Sequence, residues 1–433
     1  MNKVFKTYII FSLTLLISAL VCGVLAAWSF LYPENYKYIL PFQQLRPFHV
    51  SSAVFWILTG ATGSIFCFTA PLLKKKEEIF ASIFMIIWMI AIVIVFICYS
   101  FGLYGGREYW EYPPAINIIL LLGWLFMIRH YWLFWKVNTD RKSVYIWMWL
   151  TGIVFFLFTF IEQNLWNIDW FRATFLKEMT IQWKSNGSMV GAWNQMIYGT
   201  SVYLMVQISG NKEIATSKWA YGSYFLGLTN LIFNWGHHIY NIPTANWERT
   251  IAYSISMTEW IFVIGIIQNF KAKLFGDYKH KHLLPYRFLI AAEVWVSLNL
   301  LLALMMSIPA VNRYTHGTHI TVAHAMGTTI GINTMLLMAS FSFFTKNESY
   351  NGLTRFAFRL AQLSLFIFWT GLIVAGILKG YLLVEKQVSF NDSFAATLPW
   401  LRVVFYAGIA LTISFLFIIR QLFKKVNYQN EDI

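Results

Sequence analysis

Charged residues are scarce in this chain. Asp, Glu, Lys and Arg together make up 12% of its 433 residues, whereas soluble domains contain about 25%. This shortage excludes the two or three soluble domains that the length alone would suggest. Hydrophobic residues account for 58%, and apolar runs recur from end to end without a long polar module between them. We therefore interpret residues 1–433 as a single polytopic membrane domain.

Cysteine is also rare. The three cysteines, Cys22, Cys67 and Cys98, all lie in apolar segments, so the sequence indicates neither a disulfide framework nor a thiolate metal site. The Cys-x-x-Cys-His motif that attaches c-type haem is absent from the sequence. This chain is therefore not expected to carry a covalently bound haem.

Long apolar runs are the dominant feature that is present. A helix crosses a bilayer core with about 20 apolar residues, and no ten-residue alternation typical of a barrel occurs, so we predict an all-α membrane protein. The first run passes Trp28 and Leu31 without an Ala-x-Ala cleavage site, which favours a helix over a signal peptide. About twelve runs are found, at 8–30, 48–72, 79–101, 115–136, 144–162, 187–208, 219–240, 250–270, 285–307, 318–344, 358–383 and 398–420.

Lys and Arg are distributed unequally between the connections. Alternate connections carry about twice as many basic residues as the others, and such loops remain cytoplasmic. We therefore predict a multi-pass protein of the cell inner (cytoplasmic) membrane with both termini in the cytoplasm. The net charge of +14 is explained by this topology and by anionic lipid, so a nucleic-acid partner is not expected.

The histidines cluster at one depth. Three of the nine are predicted at cytoplasmic helix ends or loops with no role beyond the surface: His130, His280 and His282. The other six map to the outer parts of the second, seventh and tenth runs: His49, His237, His238, His316, His319 and His324. Ionisable groups at membrane depth are costly and usually functional, and imidazole suits Fe, Cu and Zn. This pattern favours a metal or haem site over histidines that merely cap helix ends.

The tenth run carries two candidate haem ligands. His324 and Met326 are two residues apart, which separates them by about 200° around a helix. They would therefore face opposite sides, and one helix could ligate two haems. Methionine is a known axial haem ligand, although Met326 could also be a packing residue.

At these residues the chain resembles the central subunit of the haem–copper oxidase superfamily, and more closely its nitric oxide reductase branch. The resemblance extends over nearly the whole chain and implies a subunit I-like helical bundle. The matching motifs, in chain order, are Arg46-Pro-Phe-His49, Gly106-Arg107-Glu108-Tyr-Trp-Glu111, Gly236-His237-His238, Met257-Thr-Glu259, and Tyr314-Thr-His316-Gly-Thr-His319 continuing to His324.

The resemblance implies a role for each motif. His49 and Met326 would hold a low-spin haem b, and His324 a high-spin haem b. His237 and His238 would hold a non-haem iron, with copper as the alternative.

Four acidic or histidine positions receive further roles from the resemblance. Glu108 would help to hold a Ca²⁺ ion against haem propionates, and Glu259 would be a buried proton-relay acid. His316 and His319 are expected to hydrogen-bond propionates or to cap the helix.

The sequence departs from the family pattern at two places. The family's second low-spin haem histidine is replaced by Met326, and the third histidine of the non-haem metal is missing. An ungapped alignment puts Asn186 at that third position, and Val190 and Asn194 where the reductases have their glutamates, so that Asn194 is a candidate catalytic residue. In a second register, Asn194 and Tyr198 would imitate the oxidases' His-x-x-x-Tyr pair, but residue counting favours Asn186.

These observations together favour a catalytic subunit of a membrane nitric oxide reductase that reduces two NO to N₂O. No tyrosine is clearly placed as the oxidases' cross-linked cofactor, which favours NO over O₂. The alternatives are an O₂-reducing terminal oxidase subunit and a haem-poor paralogue with a sensing, assembly or transport role. Electrons would come from a membrane-anchored cytochrome c or cupredoxin-like subunit at the outer face, or from quinol.

Overall fold

The computed structural model describes residues 3–34, 40–240, 243, 245–274, 282–346 and 350–428. For seven residues in these helices the structure describes the backbone but not the side chain: Lys3, Asn234, His237, His238, Glu259, Asn427 and Tyr428. Inside the described ranges all regular elements are helices, and a single isolated bridge joins Arg107 and Trp110. The predicted all-α class is confirmed.

A long helix occupies each of the twelve predicted places in the described ranges. We number them α1 Lys3–Leu31, α2 Phe42–Thr69, α3 Ile79–Ser100, α4 Ile116–Val137, α5 Val144–Gln163, α6 Phe175–Ser209, α7 Lys218–Phe233, α8 Asn246–Ala272, α9 Leu283–Ser307, α10 His319–Phe344, α11 Gly352–Val384 and α12 Phe390–Tyr428. Helix α10 contains a π-helical stretch, Gly327–Thr334. Which side of the membrane the termini occupy stays a prediction.

Ten of these helices are long and apolar enough to cross a membrane. The two exceptions in the described part are α6 and α7. Helix α7 is only 16 residues long, and α6 buries several polar side chains, among them Ser185, Asn186, Ser188 and Gln195. Polar groups on an inward face lower the hydropathy of a helix without exposing it to lipid. Of the two helices that depart from the hydropathy pattern, α7 leads into the paired-histidine turn and α6 packs against it.

Helices α2 and α10 form the centre of the bundle. In the most apolar 18-residue stretch of each helix, 78% of the residues are buried in α2 and 72% in α10, whereas only 24% are buried in α8. Trp56 Nε1 donates to Thr334 Oγ1 over 2.9 Å, and Ser340 Oγ donates to Ser64 Oγ over 2.8 Å. Such interhelical hydrogen bonds contribute about 0.6 kcal/mol each in membrane bundles. The two predicted haem-ligating helices are therefore packed directly against each other.

The lipid-facing surface is evident on α3. Ile86, Ile90, Val93 and Ile97 recur every three or four residues and are each about half exposed. An apolar stripe of this spacing follows one face of a helix. An outward stripe of isoleucine and valine is suited to contact with hydrocarbon, which agrees with a multi-pass membrane protein.

The prediction for His130 was wrong. Instead of lying at the surface, its side chain is fully buried on α4. Its Nε2 lies 2.9 Å from Thr69 Oγ1, and its ring centroid lies 4.3 Å from that of Phe66. Hydropathy locates the end of a helix but not the direction in which each side chain points. His130 lies on the side that packs against the end of α2.

Candidate functional site

His49 lies on α2 and faces α1. Its Nδ1–H donates to the carbonyl oxygen of Ala19 over 2.7 Å. Because a carbonyl can only accept, the proton must be on Nδ1, which leaves Nε2 as the nitrogen with a free lone pair. In histidines that bind a metal ion through one ring nitrogen, a hydrogen bond from the other nitrogen fixes the orientation of the ring. The ring has the tautomer that a haem ligand requires.

A glycine on α1 makes room for this ring. A Cβ atom at Gly23 would lie 2.8 Å from Nδ1 and 2.9 Å from Cε1 of His49. Gly23 is one turn beyond Ala19 on the same helix, so a single stretch of α1 provides both the space and the hydrogen-bond acceptor. The orientation of His49 is therefore set by two neighbouring positions of α1.

His324 lies near the start of α10. Its backbone carbonyl accepts hydrogen bonds from Asn299 Nδ2 on α9 and from Thr328 Oγ1, each over 3.1 Å. Its Nδ1 is buried and has no hydrogen-bond partner among the described residues. An unpaired buried polar atom costs about 1–3 kcal/mol. The backbone at His324 is held firmly, while its Nδ1 lacks a partner from the described chain.

The π-helical stretch begins directly after Met326. Single π-turns are rare and occur frequently at functional sites. Glycines at both of its turns allow α9 to approach: Gly327 lies against Asn299, and a Cβ at Gly331 would lie 2.6 Å from Cγ of Trp295. Met326 itself is partly buried and packs against the hydrophobic core. The widened helix alters the register of every side chain beyond the candidate ligands.

Asn186 on α6 is the most unusual polar side chain of the site. It is 3% exposed, and neither its Oδ1 nor its Nδ2 has a hydrogen-bond partner in the described part of the chain. Buried amides are nearly always hydrogen-bonded because their desolvation is otherwise uncompensated. This amide therefore requires a partner that the described residues do not supply.

The turn of α6 that carries Asn186 is held against the end of α7. Ser188 Oγ donates to the carbonyl oxygen of Leu231 over 2.8 Å, and a Cβ at Gly191 would lie 3.1 Å from Leu231 Cα. Helix α7 ends two residues later and continues as a 3₁₀ turn, Asn234–Ile239, against which α6 also packs. Asn186 is thus close in the fold to the turn that contains Gly236-His237-His238.

Asn194 behaves differently from Asn186. Two turns further along α6, its Oδ1 accepts a hydrogen bond from Asn333 Nδ2 over 3.2 Å. Asn333 is part of the π-helical stretch, so this bond joins α6 to α10. The two asparagines that the sequence singled out are therefore in different situations: Asn194 is paired with a neighbouring helix, and Asn186 is not.

Three predicted site residues, His237, His238 and Glu259, have side chains outside the described residues. What is described is the backbone that carries them. A Cβ at Gly236 would lie 2.9 Å from Ala252 Cβ and 3.1 Å from the carbonyl oxygen of Glu248, so the turn lies on α8. The proposed ligand roles of both histidines stay predictions.

A charged loop covers α2 next to His49. Arg46, three residues before His49, forms an ion pair with Glu111, and its Nη2 lies 3.5 Å from Glu108 Oε1. Burial raises the pKa of Glu111, and the neighbouring Arg46 partly opposes this shift. Burial also raises the pKa of Tyr109 to about 12. The loop is thus tied to the segment of α2 that presents His49.

The same loop is joined to α6. Arg107 pairs with Glu178 in the first turn of α6, and its guanidinium lies 4.8 Å from the ring centroid of Trp166. Glu108 is 36% exposed and beside a cation. Among the described residues no group of three His, Cys, Asp or Glu side chains could hold a metal ion. The calcium role of Glu108 stays a prediction.

Sequence reasoning missed a buried acid on α9. Glu293 is 5% exposed, and its Oε2 lies 3.4 Å from Nζ of Lys271 at the end of α8. Its signal in the sequence was a single carboxylate inside the apolar run Ala291-Ala-Glu293-Val-Trp295. Acidic residues in such runs usually face the bundle interior and pair with another group.

The two remaining histidines of the tenth motif lie apart from the buried centre. His316 is exposed at the end of the short helix Pro309–Thr315. His319 is partly buried at the first position of α10, and its Nε2 has no partner among the residues described. Their predicted contacts with propionates stay predictions.

The comparisons with known proteins agree with this arrangement of helices. Residues 3–410 match the family described as Cytochrome C and Quinol oxidase polypeptide I. The fold also matches a solved structure of a heme-copper terminal oxidase dimer, with a TM-score of 0.73 at 14% identity, over 98% of this chain and 84% of that one. The chain therefore belongs to the cytochrome c and quinol oxidase polypeptide I family, which confirms the resemblance stated above. It is a membrane oxidoreductase of the haem–copper oxidase superfamily, and membership implies haems and a metal centre.

Two curated relatives illustrate the two branches of the family that are similar to this chain. The B subunit of nitric oxide reductase from Stutzerimonas stutzeri is 22% identical over 79% of this chain and 75% of its own length. Cytochrome c oxidase subunit 1 of Rhodobacter capsulatus is also 22% identical, over 83% of this chain and 73% of its own length. Identity alone does not separate the two branches.

Proposed function

We propose that this chain is the catalytic subunit of a membrane nitric oxide reductase, with the overall reaction 2 NO + 2 H⁺ + 2 e⁻ → N₂O + H₂O. The observation that carries the proposal is the Gly106-Arg107-Glu108 loop, which resembles the reductases' loop. Its two glutamates contact Arg46, one turn from His49. The similarity to a curated nitric oxide reductase subunit points in the same direction.

The described residues fit the two haems that the family implies. His49 has the tautomer that leaves Nε2 free for iron, and Asn299 on α9 holds the backbone of His324. In the proposal, His49 and Met326 hold the low-spin haem b and His324 the high-spin haem b. When bound, these haems would pass on electrons from an external donor, and with the non-haem iron they would form the redox centre for NO reduction.

Asn186 fits the open position of the non-haem metal. Its buried amide lacks a partner within the described residues, and its turn of α6 packs beside the paired-histidine turn. We assign His237, His238 and Asn186 as the ligand set. An amide oxygen is a neutral and weaker donor than imidazole, so the ion should be held less tightly than by three histidines.

Asn194 has a structural role in this proposal. Asn194 occupies a position where the reductases have a glutamate, and it is hydrogen-bonded to Asn333. Two neutral amides cannot take up a proton near neutral pH. We therefore propose that Glu259 on α8 is the acid that relays protons. Asn194 would act by keeping α6 and α10 in register.

We propose that the electron donor is another molecule. The sequence has no motif for a covalently attached haem. The proposed donor is a cytochrome c or cupredoxin-like subunit that is anchored in the inner membrane and contacts the outer face of this chain. Quinol is the alternative donor. A cytochrome c-dependent reduction of the purified haems, faster than reduction by quinol, would support the first.

The test is an anaerobic NO-consumption assay with N₂O detection and metal analysis on the purified protein. We expect one N₂O for every two NO, b-type haem in the pyridine haemochrome spectrum, and iron in excess of haem iron. His237→Ala should abolish turnover and remove the excess iron while the haem content remains. Unchanged turnover in this variant would contradict the ligand assignment.

A terminal oxidase subunit is the second candidate. It is favoured by the cytochrome c oxidase subunit that is as similar in sequence as the reductase subunit. Copper in place of the excess iron, together with O₂ consumption and no N₂O, would favour it. A spectrum without b-type haem would favour the haem-poor paralogue.

A further inference from the structure

Three arginines surround a cavity between the first turns of α9 and α11, far along the chain from every predicted ligand. The cavity has a volume of about 380 Å³, within the range of about 300–1,000 Å³ that small-molecule sites occupy. It is lined by Leu283, Arg287, Tyr350, Arg355, Phe358 and Arg359. Neither the sequence motifs nor the proposed reaction assigns a role to it.

The positive charge of this cavity is not neutralised by the described residues. Arg287, Arg355 and Arg359 form no ion pair with a carboxylate of the described ranges, which leave out 275–281 and 347–349 on either side of the cavity-lining segments. Arg355 and Arg359 are one turn apart on α11, and like charges at this spacing repel each other. The charges are nonetheless held together, because the guanidinium carbons of Arg287 and Arg355 lie 5.7 and 5.5 Å from the ring centroid of Tyr350. A cluster of this kind is stabilised by an anion.

The guanidinium groups of the cluster indicate which kind of anion would bind. Guanidinium groups present planar forks of donors that match the oxygens of phosphate, and they bind phosphate through paired hydrogen bonds. All three arginines are exposed, so the ligand would be reached from outside the bundle. The ligand group is therefore a phosphate oxyanion, which either a lipid headgroup or free phosphate could provide.

The surroundings favour a phosphate that belongs to a lipid. Leu353, Phe356 and Leu363 continue from the arginines along the outer surface of α11 and are 50%, 64% and 58% exposed. Both helices begin here, at the end of the bundle that the charge bias predicts to be cytoplasmic. Basic pockets between membrane helices on that side bind anionic headgroups. A free phosphate would make no use of the adjoining apolar surface.

We propose that Arg287, Arg355 and Arg359 form a binding site for the phosphate of an anionic phospholipid, whose acyl chains lie along the apolar face of α11. This site is independent of the proposed NO reduction. It would fix the first turns of α9 and α11 relative to each other, and α9 is the helix that holds the backbone of His324 through Asn299.

The experiment uses the full-length protein, delipidated in neutral detergent and titrated with phosphatidylglycerol, with bound lipid counted by native mass spectrometry. The double variant Arg355→Gln/Arg359→Gln should weaken the tightest lipid binding by about tenfold or more, because two charge-assisted hydrogen-bonding groups are lost. Arg420→Gln is the matched control, since this exposed arginine lies on α12 at the same end of the bundle, outside the cavity. It should bind lipid as the wild type does.

Two further arms separate the alternatives. Arg355→Lys/Arg359→Lys keeps the charge and the fold but loses the planar forks, so its affinity should fall between wild type and the Gln variant. Inorganic phosphate should not displace phosphatidylglycerol at millimolar concentration. Displacement by inorganic phosphate, equal binding in the Gln variant, or equal weakening by Arg420→Gln would each overturn the proposal.

Discussion

Replacing Gly23 by alanine should displace the side chain of His49 while leaving its chemical identity unchanged. The new Cβ would lie 2.8 Å from Nδ1 and 2.9 Å from Cε1 of the imidazole, whereas ordinary contacts begin at 3.4 Å. The ring must therefore withdraw from α1 by about 0.6 Å, the difference between the two distances. Both crowding atoms belong to the ring itself, so rotation about a distant side-chain bond cannot relieve the contact.

The displacement should have two energetic effects. Overpacking in a filled interior costs about 1–3 kcal/mol. Moving the ring also forces the Nδ1–H···O bond to Ala19 out of its present geometry, and a hydrogen bond of this type contributes about 1 kcal/mol. If Nε2 of His49 holds the low-spin haem, its bond to the iron should weaken. The low-spin signal should then weaken or disappear, while the high-spin haem at His324 remains.

The assay is a reduced-minus-oxidised optical spectrum together with haem content per protein from the pyridine haemochrome. Gly408→Ala on α12 is the control, because a Cβ there would meet its nearest neighbour, Phe368, at an ordinary 3.6 Å. The control should retain the wild-type spectrum. A Gly23→Ala protein with unchanged low-spin haem and unchanged thermal stability would refute the reasoning about both the space and the ligand.

Three more predictions concern polar groups inside the bundle and in the charged loop beside α2. Asn186→Leu removes a buried amide that lacks a described partner, so the metal-free protein should gain about 1–3 kcal/mol, measured as a higher Tm, while elemental analysis finds less non-haem metal. Lys271→Met leaves the carboxylate of Glu293 buried without its cation, so the Tm should fall at mildly alkaline pH, and adding Glu293→Gln should restore most of the loss. Arg46→Gln removes the charge that opposes burial at Glu111, so the pKa of Glu111 should rise further. Because a raised pKa in the folded state means stability that is lost as pH rises, the variant's Tm relative to wild type should decrease with increasing pH.

Each of these predictions has an outcome that would contradict it. Asn333→Leu is the control for Asn186→Leu: it removes the donor to Asn194 and should lower the Tm, so equal effects of the two variants would rule out a special role for Asn186. Failure of Glu293→Gln to rescue Lys271→Met would mean that the two charges are not coupled. A Tm difference for Arg46→Gln that does not vary with pH would show that Glu111 does not titrate in response to it.

The sequence alone determined the class of protein and the helices. A run of about 20 apolar residues can be buried only in lipid or in a bundle, and its backbone must then form its own hydrogen bonds. Helices therefore occur at all twelve predicted places, and the order of the motifs with His49, His237 and His324 was sufficient to indicate the family. These properties depend on residues that are neighbours along the chain.

The direction of each side chain was decided only by the tertiary structure. His130 was expected at the surface because it is near a helix end, but it packs against α2. Hydropathy did not predict that Glu293 would meet Lys271, a residue of another helix. Such contacts depend on how far each helix is rotated about its axis, and a one-residue change rotates a side chain by about 100°.

The distinction between the two asparagines of α6 shows the same limit at the candidate site. In the sequence, Asn186 and Asn194 were separated only by counting residues from the membrane edge. In the structure, Asn194 meets Asn333, which is 139 residues away in the chain, whereas the buried amide of Asn186 has no described partner. Whether a buried polar group is satisfied depends on distant segments that pack around it, and these meet only when the whole bundle is assembled.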